Sequence, residues 1–202
     1  MRGRLVCFSI GRTVVAAKRR SGGAAMCKDI GVAVRPSVAG SSAAMRLRRM
    51  GTIFVDADAC PVRDEVYRVA RRYLVRVVIV ANTPLWVPSD TRVQLTLCPG
   101  FGAVDDWIAE QAGPGDIVVT ADIPQAARCL AKGAHVLDPK GHPFTENEIG
   151  AALATRDLLA GLRQGGAITG GPAPMTAKDH SRFLSKLDEA VNAKSRADPP
   201  RR

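Results

Sequence analysis

Aromatic residues are scarce in this chain: five Phe, two Trp and two Tyr, or 4% of 202 residues. A core with so few rings has to be built from small and branched aliphatics. The 46% apolar content supplies them, which fits a soluble α/β domain of alanine- and valine-rich elements. No apolar run approaches the roughly 18 residues of a membrane span, so no membrane partner is expected. Histidine is rare as well: His135, His142 and His180 are scattered, with no nucleophile motif beside them. This argues against Ser-His-Asp chemistry. The five cysteines, Cys7, Cys27, Cys60, Cys98 and Cys129, are odd in number and form no Cys-x-x-Cys. They argue against a disulfide framework or a cysteine zinc site and suit a reducing, cytoplasmic setting.

A net charge of +10 suggests nucleic acid, but its placement matters more than its size. Residues 1–50 hold eleven Lys/Arg against Asp29 alone, which accounts for the whole surplus; the rest carries eighteen charges of each sign. The high pI therefore belongs to the N-terminal segment. That segment lacks sustained periodicity and reads as a disordered basic tail, a targeting peptide, or the product of a misassigned start at Met45 or Met50. The last is preferred, because the fold signal begins directly after Met50. Residues 1–50 are expected to be dispensable, residues 51–193 to form one domain, and residues 194–202 to be a polar tail.

From residue 52 apolar runs alternate with helical periodicity. Strands are expected at 52–57, 75–81, 93–97, 117–120 and 134–137, with helices at about 61–74, 103–112, 124–132, 146–163 and 177–193. This order predicts an α/β fold with a mainly parallel sheet of about five strands covered by helices on both faces. The arginines of the first helix (Arg63, Arg68, Arg71, Arg72) and Arg76 read as a solvated face. Leu85-Trp86-Val87-Pro88 is an apolar loop that either lines a pocket or seals the core, and the second reading is preferred. The glycine-rich stretch 165–174 reads as a loop over the sheet edge, without the Gly-Lys-Ser/Thr of a P-loop.

The chemistry concentrates where strands end. Ile53-Phe54-Val55 runs into Asp56 and Asp58, and side chains two apart leave a strand on one face. Thr120-Ala121-Asp122 ends the fourth strand in the same way, and Asp105 and Asp106 open the helix before it. In a parallel sheet these ends converge on one edge, where ligands bind. Each Asp also has an ordinary alternative as a turn residue, helix cap or first-turn charge. Four or more carboxylates from separate elements would suit Mg²⁺ or Mn²⁺ acting on a phosphodiester, with the acids as ligands and one steering water. Cys60 reads as a small buried residue beneath this edge rather than a reactive thiol.

The blocks Val-Asp-Ala-Asp-Ala-Cys-Pro-Val (55–62), Gly-x-Gly-Ala-Val-Asp-Asp (100–106), Val-Thr-Ala-Asp-Ile-Pro (119–124) and Thr-Gly-Gly-Pro-x-Pro (169–174) resemble the bacterial YaiI/YqxD family, regarded as similar to PIN-like nucleases. The resemblance spans about residues 52–190. It implies a PIN-like three-layer α/β/α sandwich whose acids fall on Asp56, Asp58, Asp105 and Asp122, with Asp106 a further candidate ligand. Gly102 departs from the pattern, which is expected to carry another Asp there. The resulting expectation is a metal-dependent nuclease-like hydrolase of RNA or another phosphodiester. Two alternatives stay open. Asp56-x-Asp58 resembles the first motif of haloacid-dehalogenase-type phosphatases, with Asp56 as nucleophile, although no clear lysine motif follows. A non-catalytic PIN-like binding module would match the neutral charge of residues 51–202.

Overall fold

Phe54 and its neighbours form the centre of the sheet because strands buried on both faces are continuous apolar runs. A computed structural model describes residues 28–30, 51–58, 60–164 and 174–197. Five strands, β2 (Thr52–Asp56), β3 (Arg76–Ala81), β4 (Val93–Leu97), β5 (Ile117–Val119) and β6 (His135–Leu137), are parallel. Two short antiparallel strands, β1 (Lys28–Ile30) and β7 (Pro143–Phe144), close the edges, giving the order β1-β4-β3-β2-β5-β6-β7. The five parallel strands are those expected from sequence, and the two edge strands are additions. The rest of residues 1–50, the glycine-rich residues 165–173 and the last five residues lie outside the described ones.

Alternation along the strands builds two cores. Ile53, Val55, Val77 and Ile79 face α1 (Arg63–Tyr73) and α5 (Ala177–Ala197), meeting Val66, Val69, Phe183 and Leu187. Phe54, Val78, Val118 and Val136 face α2 (Ala103–Gln111) and α3 (Ile123–Leu130), meeting Ile108, Cys129 and Leu130, with Ile149 of α4 (Glu146–Gln164) against them. The result is the three-layer sandwich. No described helix is long and apolar enough to cross a membrane.

Arg68, Arg71, Arg72 and Arg76 are exposed, as a solvated face requires. The loop after β3 corrects one expectation. Leu85 and Val87 do pack on the core, but Trp86 stands 79% exposed. Cys98 is disulfide-bonded, which the reading of the cysteines did not anticipate; Cys60 and Cys129 are the free cysteines among the described residues.

The far end of α5 carries a charge under strain. Lys194 Nζ donates to the Asp116 carbonyl oxygen at 2.6 Å, and burial pushes its pKa down from 10.5 to about 8 against the opposing pull of Asp116. Between those values the unfolded chain binds more protons than the folded one, so stability rises with pH through that window. Lys194→Met is expected to stabilise the protein at pH 7 and to remove that rise. Denaturant unfolding of both proteins from pH 7 to 10.5 checks it, and parallel curves would sink the assignment.

Candidate functional site

The strand parity that puts Phe54 toward α2 puts Asp56 on the same face, at the C-terminal end of the central strand. Asp56 is 4% exposed, and its Oδ2 accepts from Thr120 Oγ1 at 3.4 Å. Thr120, fully buried one residue beyond β5, in turn accepts from the Asp122 backbone N–H at 2.9 Å. This relay ties the ends of β2 and β5 together. Asp122 is the N-cap of α3, its Oδ1 accepting from Gln125 N at 3.4 Å. Its capping role is therefore real, and it coexists with a place at the sheet edge. Asp58 Oδ2 accepts from Asn82 N at 2.8 Å, pinning the loop after β3 to the turn after β2.

Asp105 sits half-buried in the first turn of α2. Its carboxyl is held above the usual range by burial, then by the charges of Asp122, Asp106 and Asp58, while Arg128 pulls the other way. Asp58, Asp105 and Asp122 thus share one electrostatic neighbourhood although they come from three elements. Asp106 is engaged elsewhere: its Oδ1 pairs with Arg128 Nη1 at 2.7 Å in an exposed ion pair. Adjacent helical residues diverge by about 100°, so only one of this pair faces the edge.

The carboxylates approach one another without forming a cage. Among the described residues no group of three or more His, Cys, Asp or Glu side chains could hold a metal ion by itself. The donor set fits the other way of holding Mg²⁺ or Mn²⁺, by one or two carboxylates with water and substrate phosphate completing the shell. Asp105 with Asp122, the neighbour whose charge acts on it most strongly, is the pair that could take that role.

Two residues escaped the sequence reading. Asp138 follows β6 as Asp58 and Asp122 follow their strands, and its carboxylate accepts from His142 N at 2.7 Å. The acid-after-strand signal was present at Leu137-Asp138. Gln125 is 1% exposed, and neither amide atom of its side chain has a partner among the described residues. No sequence pattern announces that.

Residues 54–193 match a family described as "Uncharacterized BCR, YaiI/YqxD family". The chain belongs to the YaiI/YqxD family. It is 55% identical over 146 residues to a UPF0178 protein of Rhodospirillum centenum, covering 70% of this chain and 95% of that one. A UPF0178 protein of Rhodospirillum rubrum is 53% identical over 146 residues, covering 71% and 97%. One of Rhodopseudomonas palustris (strain BisB18) is 51% identical over 147 residues, covering 72% and 95%. No solved structure matches.

In this YaiI/YqxD chain Cys60 is 2% exposed, and its thiol donates to the Val119 carbonyl at 3.6 Å. Burial, with the charges of Asp56 and Asp138, raises its pKa well above normal, as suits a packed thiol. Gly102 is the N-cap of α2 at φ 69°, with nothing within 4 Å of where a Cβ would stand. The left-handed backbone is easiest for glycine, but Asp and Asn also visit it. A side chain at this position would meet open space.

Proposed function

We propose that this protein is a metal-dependent, nuclease-like hydrolase of the cytoplasm that cleaves RNA or a related phosphodiester in the manner of PIN-like enzymes. The observation that carries the reading is that acids from separate elements meet near one sheet edge, where burial first and then the charges of Asp122, Asp106 and Asp58 raise the Asp105 carboxyl. Like charges brought together at some cost are typical of functional sites. Asp105 and Asp122 would hold Mg²⁺ or Mn²⁺, which when bound would neutralise the phosphate and acidify a water. Asp56, fixed through Thr120, holds Asp122's backbone in register. Asp58 holds the loop that follows β3. The phosphatase alternative needs Asp56 as an accessible nucleophile, and 4% exposure leaves an incoming phosphoryl group little room.

Mn²⁺ is expected to raise the melting temperature, because a ligand of the native state stabilises by about 2.7 kcal/mol at a hundredfold excess over its dissociation constant. Single-stranded RNA should be cut in Mn²⁺ and spared in EDTA. A thermal scan against metal concentration and a gel assay check both. No shift and no cleavage across millimolar Mn²⁺ would end the hydrolase reading.

A further inference from the structure

A pocket of about 270 Å³ opens beside the acidic edge, between the start of α1 and the loop after β3. Pro61, Arg63, Asp64, Tyr67, Leu85 and Trp86 line it. Its lining starts three residues after Asp58, at Pro61, and Asp58 also pins the start of the loop that bears Trp86 through Asn82. We propose that this pocket is a base-binding subsite, taking one nucleobase of a single-stranded RNA whose backbone passes the carboxylates.

Three observations converge on that ligand. Trp86 is 79% exposed on an anchored loop, although indole is the largest apolar surface the chain owns. An exposed ring at a pocket mouth is a stacking platform, and every base offers a π-face. Tyr67, only 7% exposed, closes the pocket wall with its ring. Arg63 brings a cation for the adjoining phosphate, and the N-cap residue of α1, Val62, supplies no side-chain cap to its first amides. Asp64 offers an acceptor to an exocyclic amino group. A cavity this small suits a single base, below the usual volume of a drug-sized site.

The inference rests on reading the neighbouring edge as a nucleic-acid site, but it is separable from catalysis. Binding of a fluorescein-labelled oligoadenylate to the full chain is measured by anisotropy in EDTA, where hydrolysis is not required. Trp86→Ala is expected to weaken binding about tenfold, the equivalent of one stacked base. Trp86→Phe should recover most of the loss, and adenosine monophosphate should compete and quench Trp86 fluorescence. Rising salt should weaken the parent and an Arg63→Gln variant with different slopes. Oligonucleotide binding that Trp86→Ala leaves intact, or no binding at all, overturns the subsite. Binding lost with Trp86→Ala in a protein that never cuts RNA upholds the subsite and removes only the hydrolase reading.

Discussion

Asp105→Asn is expected to make the metal-free protein more stable at pH 7 and to cut Mn²⁺-dependent RNA hydrolysis at least about 10²-fold, since even residues that only support metal ligands are worth 10 to 100-fold. The stability half follows from the raised carboxyl. Burial comes first among its causes, then Asp122, Asp106 and Asp58, with Arg128 opposing. A carboxyl whose folded pKa lies above its unfolded value binds protons more readily when folded. It costs stability as pH rises through the ordinary carboxylate range to the raised value, and the full cost is present at pH 7. The amide has no such charge, so the variant gains at neutral pH, and the two proteins converge as pH falls below about 4. Gain of stability with loss of activity is the trade expected at a functional site. Asp122→Ala should behave differently, losing about 1 kcal/mol with the α3 cap, whereas Asp122→Asn keeps the cap. Urea unfolding in EDTA at pH 4 and pH 7, beside the cleavage assay, checks the set. Destabilisation by Asp105→Asn at pH 7 would make this acid structural.

The five parallel strands were legible because each is an apolar run, and the five helices because each carries a stripe at helical spacing. β1 and β7 were not, since three and two residues are too few to show a period. Strand ends and parallel topology placed Asp56, Asp58 and Asp122 at one edge of the sheet, and the family resemblance added Asp105 from the start of α2. Their separation did not follow from either, because it depends on rotamers and on partners from other elements. Arg128, 22 residues along the chain and on another helix, takes Asp106. Thr120, noted only as part of a motif block, turned out to join Asp56 to Asp122. Trp86 read as a core seal because hydrophobicity was legible while the direction of a loop side chain was not. Asp138 could have been found by the rule already applied to the other strand ends.

Gly141→Ala is expected to destabilise the protein by roughly 2–5 kcal/mol, adding about 1–2 for a left-handed residue and about 1–3 for an overpacked contact. Gly141 lies at φ 83° in the turn between β6 and β7, where its N–H donates to Asp138 O at 3.0 Å. A Cβ there would come within 2.9 Å of the Phe183 backbone, which is helix and cannot swing aside as a flexible side-chain tip would. The turn is also held to α5 by polar contacts. Asp138 Oδ2 meets His142 Nδ1 at 3.1 Å, His142 Nε2 meets Arg182 Nη1 at 2.9 Å, and Arg182 Nη2 donates to Asp179 Oδ1 at 2.8 Å. Relieving the clash means lifting α5, and Phe183 and Leu187, both fully buried, would be drawn out of the α1 side of the core. At about 2–4 °C per kcal/mol for a domain of this size, the melting temperature should fall by roughly 4–20 °C. Amide exchange in α5 should accelerate before that of β2 and β3, because the helix is the element displaced. Gly102→Ala is the control, sharing the left-handed backbone with open space ahead of it, and should cost only the conformational part. Equal losses for the two substitutions would show that backbone conformation alone acts and that the turn does not seat α5.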